Sequence, residues 1–309
     1  MAIAFVMDPL TRVNPATDTS FAFMRAAQAA GHPVLHVAPR DLALDGDQAA
    51  FWASPVTLTG DPSAPFQVAA PSRRAADSCH AIFIRTDPPF NVAYLEATWI
   101  LSLAEARGVR VVNSPTGIRS ANEKLYALNF AAFCPETLVT ANRGDIRAFV
   151  ARLGGEAIAK PTDGHGGFGV VRLRVGDSNL GALIDLLTQE GARPIIVQAF
   201  LAAASQGDKR LLMVNGQLRG AVRRVPSAGD HRSNVHVGGQ VEACPIDPAD
   251  VAIAAAVGPR LRQDGLTFVG LDVIGDRLIE VNVTSPTLAQ ELHRLGGPDL
   301  AAEVIASLG

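Results

Sequence analysis

One stretch near the C-terminus constrains the fold more than any other: Phe268-Val-Gly-Leu-Asp272-Val-Ile-Gly275-Asp276-Arg-Leu-Ile-Glu280-Val-Asn282-Val-Thr284-Ser-Pro. Two apolar, β-branched runs flank a Gly-Asp turn, the pattern of an antiparallel hairpin. Leu271, Val273, Ile274, Ile279, Val281 and Val283 mark both strands as core elements, yet acidic residues interrupt each of them. A carboxylate in such a setting needs a partner. Positions 272 and 280 are symmetric about 276, so an odd-length loop or a single bulge sets Asp272 opposite Glu280, with Asn282 two residues further along the same face. Oxygen donors without His or Cys suit a hard cation such as Mg²⁺ that shares its shell with phosphates, and disfavour zinc. The competing reading is a hairpin face whose acids only meet water; the apolar strands argue against it.

A second signal is Lys160-Pro-Thr-Asp-Gly164-His-Gly166-Gly167-Phe-Gly169-Val-Val-Arg-Leu-Arg174. Its glycines loosely fit the dinucleotide fingerprint, but that motif needs a helix after the glycines, and residues 170–175 read as an alternating β-branched strand. Strand, glycine loop, strand is a flap whose backbone N–H groups can approach a triphosphate without side-chain obstruction. A plain hairpin turn is the alternative. Lys160 ends the apolar run Ala157-Ile-Ala159, where a half-buried ammonium requires an anion, either a phosphate or a structural carboxylate. No P-loop sequence is present.

The first third of the chain alternates short apolar runs at residues 3–7, 34–37, 81–84 and 109–112 with alanine-rich stretches near 20–30 and 95–106. That order predicts parallel strands with crossover helices. Residues 55–71, rich in Pro, Ser and Thr, read as an excursion from this sheet. Ser120-Ala-Asn-Glu123 has the spacing of a capping box opening a helix that carries Lys124, which places a domain boundary near residue 120. Beyond it, strands at 157–161, 170–175, 195–198, 210–214 and 218–225 with short glycine-bearing connections predict an α+β region with antiparallel sheets. Arg85 follows the run 81–84 and therefore stands at the C-terminal end of a parallel strand, where ligands collect in open α/β sheets. Residues 229–239 have the look of a loop that closes over a site.

Composition removes several function classes. With 27 basic and 30 acidic residues, the formal charge of −3 offers no broad attraction for nucleic acid or anionic membrane. No apolar run approaches the ~18 residues of a membrane span. Three cysteines far apart suggest neither a disulfide framework nor a zinc site, so a reducing cytoplasm is the expected compartment.

Together, a flap lysine, a second lysine one element earlier and the D-x7-E-x-N hairpin resemble the ATP-grasp ligases. More specifically, Met7-Asp-Pro9, Asp18-Thr-Ser-Phe21, Arg85-Thr-Asp-Pro-Pro-Phe90, Asn122-Glu-Lys124-Leu125, Pro135-Glu-Thr-Leu-Val-Thr140, Gly207-Asp-Lys-Arg210, Phe268-Val-Gly-Leu-Asp272 and Asn282-Val-Thr-Ser-Pro-Thr287 resemble the prokaryotic glutathione synthetases over essentially the whole chain. The resemblance implies an ATP-grasp fold of mixed α/β and α+β class. An N-terminal parallel-sheet, substrate-binding α/β domain would span 1–120 and an ATP-grasp region 121–309, divided into a lid at 121–197 and a metal-bearing part at 198–309. It implies ligation of γ-glutamylcysteine to glycine with ATP as co-substrate, Mg²⁺ as metal (Mn²⁺ substituting), and a homo-oligomer.

Carried over by position, Lys124 and Lys160 would contact ATP phosphates, beneath Gly164, Gly166 and Gly167. Gln198, Ala199, Phe200 and Leu201 would form the hinge against adenine, and Asp208 would take the ribose. Asp272, Glu280 and Asn282 would hold the metal, and Arg210 and Arg224 would face the transferring phosphoryl group. Arg85 and Arg232, with Asp18 and Ser20, would orient the substrate. Such a set fits a transition state that concentrates negative charge. His165, Phe168-Gly169 and Val235-His-Val237 depart from the family pattern, which bears on lid and substrate fit. A ligase for another peptide, a nucleotide-binding regulatory module and a nicotinamide dehydrogenase are the other readings. The intact metal triad argues against the module, and the strand after the flap argues against the dehydrogenase.

Overall fold

The computed structural model describes residues 1–164, 166–225 and 240–309. Its N-terminal part is built on an eight-stranded sheet. Strands β1 (Ala2–Met7), β2 (Val34–Val37), β7 (Cys79–Arg85) and β8 (Arg110–Val112) form the parallel centre in the order β2-β1-β7-β8. Helices α1 (Thr19–Ala29) and α2 (Val92–Ala106) supply crossovers, as the alternating pattern predicts. Asp18 caps α1 by accepting from the Ser20 and Phe21 amides, and Asn91 caps α2 through the Tyr94 amide.

Residues 55–71 are no excursion. They continue the long β4 (Gln48–Leu58) and form β5 (Phe66–Val68), which join β3 (Leu42–Asp45) and β6 (Ser72–Ala75) as antiparallel additions beside β2. Antiparallel pairing needs only short turns, so this Pro/Thr-rich stretch extends the sheet without helical periodicity.

After α3 (Pro115–Ser120) the chain makes a turn and two short 3₁₀ stretches that meet at a kink at Phe130, within Tyr126–Phe133. A four-stranded antiparallel sheet follows in the order β11-β10-β12-β9, from β9 (Thr137–Thr140), β10 (Glu156–Pro161), β11 (Val171–Arg174) and β12 (Ile195–Ala199). It is covered by α4 (Arg143–Arg152) and α5 (Leu180–Thr188). The last sheet has the order β15-β14-β13-β16-β17, from β13 (Asp208–Val214), β14 (Gln217–Val225), β15 (Gln240–Ala243), β16 (Phe268–Ile274) and β17 (Arg277–Asn282). Helices α6 (Pro248–Gln263), α7 (Ala289–Arg294) and α8 (Leu300–Ala306) complete the chain. Among the described residues, no helix is long and apolar enough to cross a membrane.

Burial separates the middle sheet from the other two. The first and third sheets share their cores: Phe23 packs edge-on against Phe268 with ring centroids 5.2 Å apart, in a cluster that also holds Phe5, Phe83, Leu212 and Val304. Truncating such a residue to alanine costs about 3–5 kcal/mol. Asn113, buried at the end of β8, donates to the carbonyls of Phe268 and Val283, both at 2.8 Å, and accepts from the Phe268 amide. The middle sheet instead has its own core of Ile146, Phe149, Val150, Leu173, Ile184 and Val197.

Candidate active site

The cavity between the middle and last sheets, about 680 Å³, is floored by β16 and β17. Asp272 and Glu280 are direct cross-strand partners, and the register slips by one residue immediately afterwards, pairing Val273 with Leu278. The extra residue is Ile279. This is the single bulge that symmetry about residue 276 requires, and it turns the Ile279 carbonyl toward Lys160, whose Nζ lies 3.5 Å away. Asn282 pairs with Gly270 and donates from Nδ2 to that residue's carbonyl at 3.3 Å.

Asp272 is the most heavily compensated charge in the site. Arg210, its partner on β13, donates from Nη2 to Oδ2 at 3.0 Å and also contacts Oδ1 through Nε. From β14, Arg224 Nη2 reaches the same Oδ2 at 2.9 Å. Burial alone would raise the Asp272 pKa, but Arg210 and Arg224 outweigh it and hold the carboxyl well below the usual range. Arg224 also grips Asp208, with Nε 2.9 Å from Oδ1. Burial would lower the Arg224 pKa, yet Asp272 and Asp208 keep it above its ordinary value. Gly270 leaves the space this arrangement needs, since a Cβ there would lie 2.6 Å from Arg210 Cδ.

The two lysines enter from the opposite wall. Lys160, at the end of β10, is 5 % exposed; burial brings its pKa from 10.5 down to about 8, with Glu280 opposing the shift and Lys124 adding to it. Lys124 Nζ lies 3.1 Å from Glu280 Oε1 and also contacts the Gly164 carbonyl on the flap. The expected helix around it is absent, because the Glu123 side chain does not close a capping box on Ser120. Its Oε1 accepts instead from the amides of Val283 at 2.8 Å and Thr284 at 3.0 Å, and from Thr284 Oγ1 at 2.9 Å. Asn122 Oδ1 takes the Lys124 and Leu125 amides, so Lys124 stands on a turn.

Gly164, Gly166 and Gly167 line the cavity from the loop between β10 and β11, a strand–loop–strand flap. Gly166 and Gly167 have φ of 62° and 78°, a region costly for residues with a Cβ. His165 lies outside the described residues. Gln198, Ala199, Phe200 and Leu201 line the far end, and Gln198 is fixed by donating to Thr137 Oγ1 at 2.9 Å.

The structure does not bring every expected residue into the cavity. Asp208 is occupied by Arg224 and is not among the lining residues. Asp18 caps α1. Arg85 is buried behind the cavity wall, donating to Ser20 Oγ at 3.0 Å and to the Pro286 carbonyl at 2.9 Å. Arg232 and the expected closing loop at 229–239 lie outside the described residues. Conversely, Glu123, Phe168 and the run Thr284-Ser-Pro-Thr287 line the cavity, although sequence reasoning gave them no chemical role. The hydroxyl-bearing run Thr284-Ser-Pro-Thr287 directly after an apolar strand was the available signal for these residues.

Among the described residues no group of three or more His, Cys, Asp or Glu is arranged to hold a metal ion; the donor set at this hairpin is two carboxylates and an amide, Asp272, Glu280 and Asn282. It fits a hard divalent cation. The Asn282 amide nitrogen is engaged on Gly270, which leaves its oxygen available; Asp272 Oδ2 already accepts from Arg210 and Arg224, whereas Asp272 Oδ1 and Glu280 Oε1 each accept from a single side chain and keep a second lone pair for a cation.

An antiparallel glycine flap, two lysines converging on a D-x7-E-x-N hairpin, and a hinge strand at the far end define an ATP-grasp enzyme, an ATP-dependent ligase. Solved structures agree on the fold: D-cycloserine synthetase DcsG matches with a TM-score of 0.68 at 18 % identity over 99 % of this chain and 98 % of that one. A RimK-domain ATP-grasp protein from Sphaerobacter thermophilus matches at 0.65 and 22 %, over 99 % and 98 %. Family models are more specific. The prokaryotic glutathione synthetase N-terminal domain matches residues 1–119, and the prokaryotic glutathione synthetase ATP-grasp domain matches 123–297. Glutathione synthetase of Synechococcus elongatus is 45 % identical over 100 % of this chain and 98 % of its own length. That of Bradyrhizobium diazoefficiens is 39 % identical over 98 % and 96 %. The chain belongs to the prokaryotic glutathione synthetase family.

Proposed function

We propose that this chain joins γ-glutamylcysteine to glycine, converting ATP to ADP and phosphate. The observation that carries the reading is the convergence of Lys124, Lys160, Arg210 and Arg224 with Asp272, Glu280 and Asn282 on one cavity. The cysteinyl carboxylate oxygen attacks the γ-phosphorus and ADP leaves. The glycine ammonium gives up a proton, its nitrogen attacks the acyl carbon, the C–O bond to phosphate breaks, and a second N–H proton leaves as the amide forms; of the two protons one is carried off on hydrogen phosphate and one is released to solvent.

In this reading Lys124 and Lys160 bind the triphosphate, and Gly164, Gly166 and Gly167 cover it. Gln198 to Leu201 accommodate the base, with Asp208 near the ribose once Arg224 turns to the phosphoryl group. Arg210 and Arg224 offset charge on the transferring phosphoryl and the acyl phosphate. Mg²⁺, or Mn²⁺ in its place, would be held by Asp272, Glu280 and Asn282, and would neutralise phosphate charge. Arg85 and Ser20 support the substrate side through Pro286, Asp18 fixes the helix that carries Ser20, and Arg232 completes the substrate contacts. Residues 1–120 supply the substrate-binding unit, 121–197 the lid and 198–309 the metal hairpin, in a cytoplasmic homo-oligomer.

The test supplies purified protein with ATP, Mg²⁺, γ-glutamylcysteine and glycine, and follows tripeptide and phosphate together. One phosphate per tripeptide, abolished by chelator, is expected. Phosphate release without tripeptide, or only with a different amine, overturns the substrate assignment.

A further inference from the structure

The geometry points to Glu123 as a positioning residue that sets Asn282 and the following residues, Thr284 to Thr287, in the cavity wall. β17 is the edge strand of its sheet. Amides of an edge strand that point away from the neighbouring strand have no ladder partner and require other acceptors. Those flanking Asn282 find them in a single residue: the Glu123 carbonyl accepts from the Val281 amide at 2.8 Å, and its Oε1 accepts from the Val283 amide at 2.8 Å. Asn282 is thus held on both sides along the chain, while its carboxamide is held by Gly270 at 3.3 Å.

The same Glu123 oxygen also takes the Thr284 amide and hydroxyl, at 3.0 and 2.9 Å. Three donors on one carboxyl oxygen tie the backbone of residues 283 and 284 to Glu123, even though burial, with Glu280 adding to it, pushes the Glu123 carboxyl above its ordinary pKa. The next residue, Lys124, bonds Glu280 two positions before Asn282. One dipeptide outside the hairpin therefore fixes residues 280, 281, 283 and 284, and Glu123 itself lines the cavity beside them.

Groups that orient metal ligands alter metal affinity by about 10–100-fold when removed. This inference rests on the reading that Asn282 ligates the metal. It predicts that loss of Glu123 weakens the metal-dependent part of nucleotide binding and spares the rest.

The experiment titrates Mg²⁺ into full-length protein with a fluorescent N-methylanthraniloyl ATP analogue, and repeats the binding in excess EDTA. For Glu123→Ala, the Mg²⁺ concentration giving half-maximal binding should rise about tenfold or more, with binding in EDTA unchanged. Glu123→Gln keeps the acceptor oxygen and should raise that midpoint only about threefold. Adding Asn282→Ala to Glu123→Ala should cost less than the sum of the single effects.

A Glu123→Ala midpoint equal to that of the unmodified protein, or equal losses with and without Mg²⁺, overturns the role. An Asn282→Ala midpoint equal to that of the unmodified protein overturns the metal reading beneath it, whereas a shifted Asn282→Ala with an unshifted Glu123→Ala overturns the clamp alone. If Glu123→Ala loses its near-ultraviolet circular dichroism, Glu123→Gln and Thr284→Val decide. Raised midpoints in both support the clamp, and unshifted midpoints overturn it.

Discussion

Two hairpins face each other across the cavity and are held in different ways. β16–β17 belongs to a sheet that shares its core with the N-terminal sheet, and its acids are gripped by Arg210, Arg224 and Lys124. β10–β11 belongs to a sheet with a separate core, and its loop carries glycines at positive φ and a Phe168 that is 79 % exposed. Two lysines link the sides: Lys124 bonds Glu280 and the Gly164 carbonyl of the flap, and Lys160 on β10 lies 3.5 Å from the Ile279 carbonyl. In the proposed reading, metal and phosphoryl binding fall to the more heavily bonded side, and the covering element to the side with the separate core. Changes on the first side should damage both stability and chemistry, and changes on the second should damage nucleotide affinity.

The largest effect is expected from Asp272→Ala. Arg224 keeps Asp208, but Arg210 loses the carboxylate it bonds twice. Leaving a buried charge unpaired costs about 3–5 kcal/mol. Thermal unfolding should register that loss, and kcat should fall by about 10²–10³ or more. Adding Arg210→Met should restore much of the stability and none of the activity. A stable, active Asp272→Ala protein would refute the assignment of this side as the chemical one.

Lys124→Met comes next. It removes the link between Glu280 and the flap, along with one of the cations proposed to bind phosphate. A hydrogen bond to a charged group is worth about 1.5–3 kcal/mol, so KM for ATP should rise about 10- to 100-fold with little change in unfolding temperature. A large stability loss instead would mean that the lysine belongs to the rigid side.

Lys160 gives the comparison a pH dependence. Its pKa of about 8 lies below the ordinary 10.5 because burial disfavours the ammonium. Above pH 8 the free protein loses this proton, whereas a bound phosphate favours the charged form. Nucleotide affinity should therefore fall by up to about tenfold per pH unit above 8, and calorimetry in buffers of different ionisation heat should show proton uptake on binding. Stability has the opposite sign: between pH 8 and 10.5 the unfolded chain holds the extra proton, so this residue's contribution to stability rises with pH. Lys160→Arg stays charged and should abolish the pH-dependent loss of affinity. Affinity that is flat to pH 9.5 would contradict the shifted lysine.

The hairpin was legible in sequence because a two-residue period of apolar side chains interrupted by acids carries both register and chemistry in one local stretch. The flap was legible for a similar reason, since glycines between two alternating strands leave few other folds. Lys124's turn was not: Ser120 and Glu123 have capping-box spacing, but the Glu123 carboxylate finds its donors 160 residues later. Asp18 and Asp208 illustrate the same limit. Whether an acid caps a helix, pairs with Arg224 or meets a ligand depends on tertiary neighbours that no local pattern records. Strand β5 was hidden because edge additions beside β4 need no helical or strictly alternating signature.

The smallest predicted effect tests the covering side alone. Gly169 has φ of 73°, and a Cβ there would lie 2.9 Å from Pro161 Cγ and 3.0 Å from Cδ. A side chain in this backbone region costs about 1–2 kcal/mol, and Pro161 is ring-locked and cannot swing aside. Because the loop stands outside the separate core of Ile146, Phe149 and Val197, the strain should be relieved by displacing the flap rather than by unfolding the sheet. Gly169→Ala should raise KM for ATP about fivefold or more, leave the unfolding temperature nearly unchanged, and leave Mg²⁺-independent substrate binding intact. A drop in unfolding temperature without a change in KM would show that the flap is braced as firmly as the hairpin opposite, and the contrast between the two sides would fail.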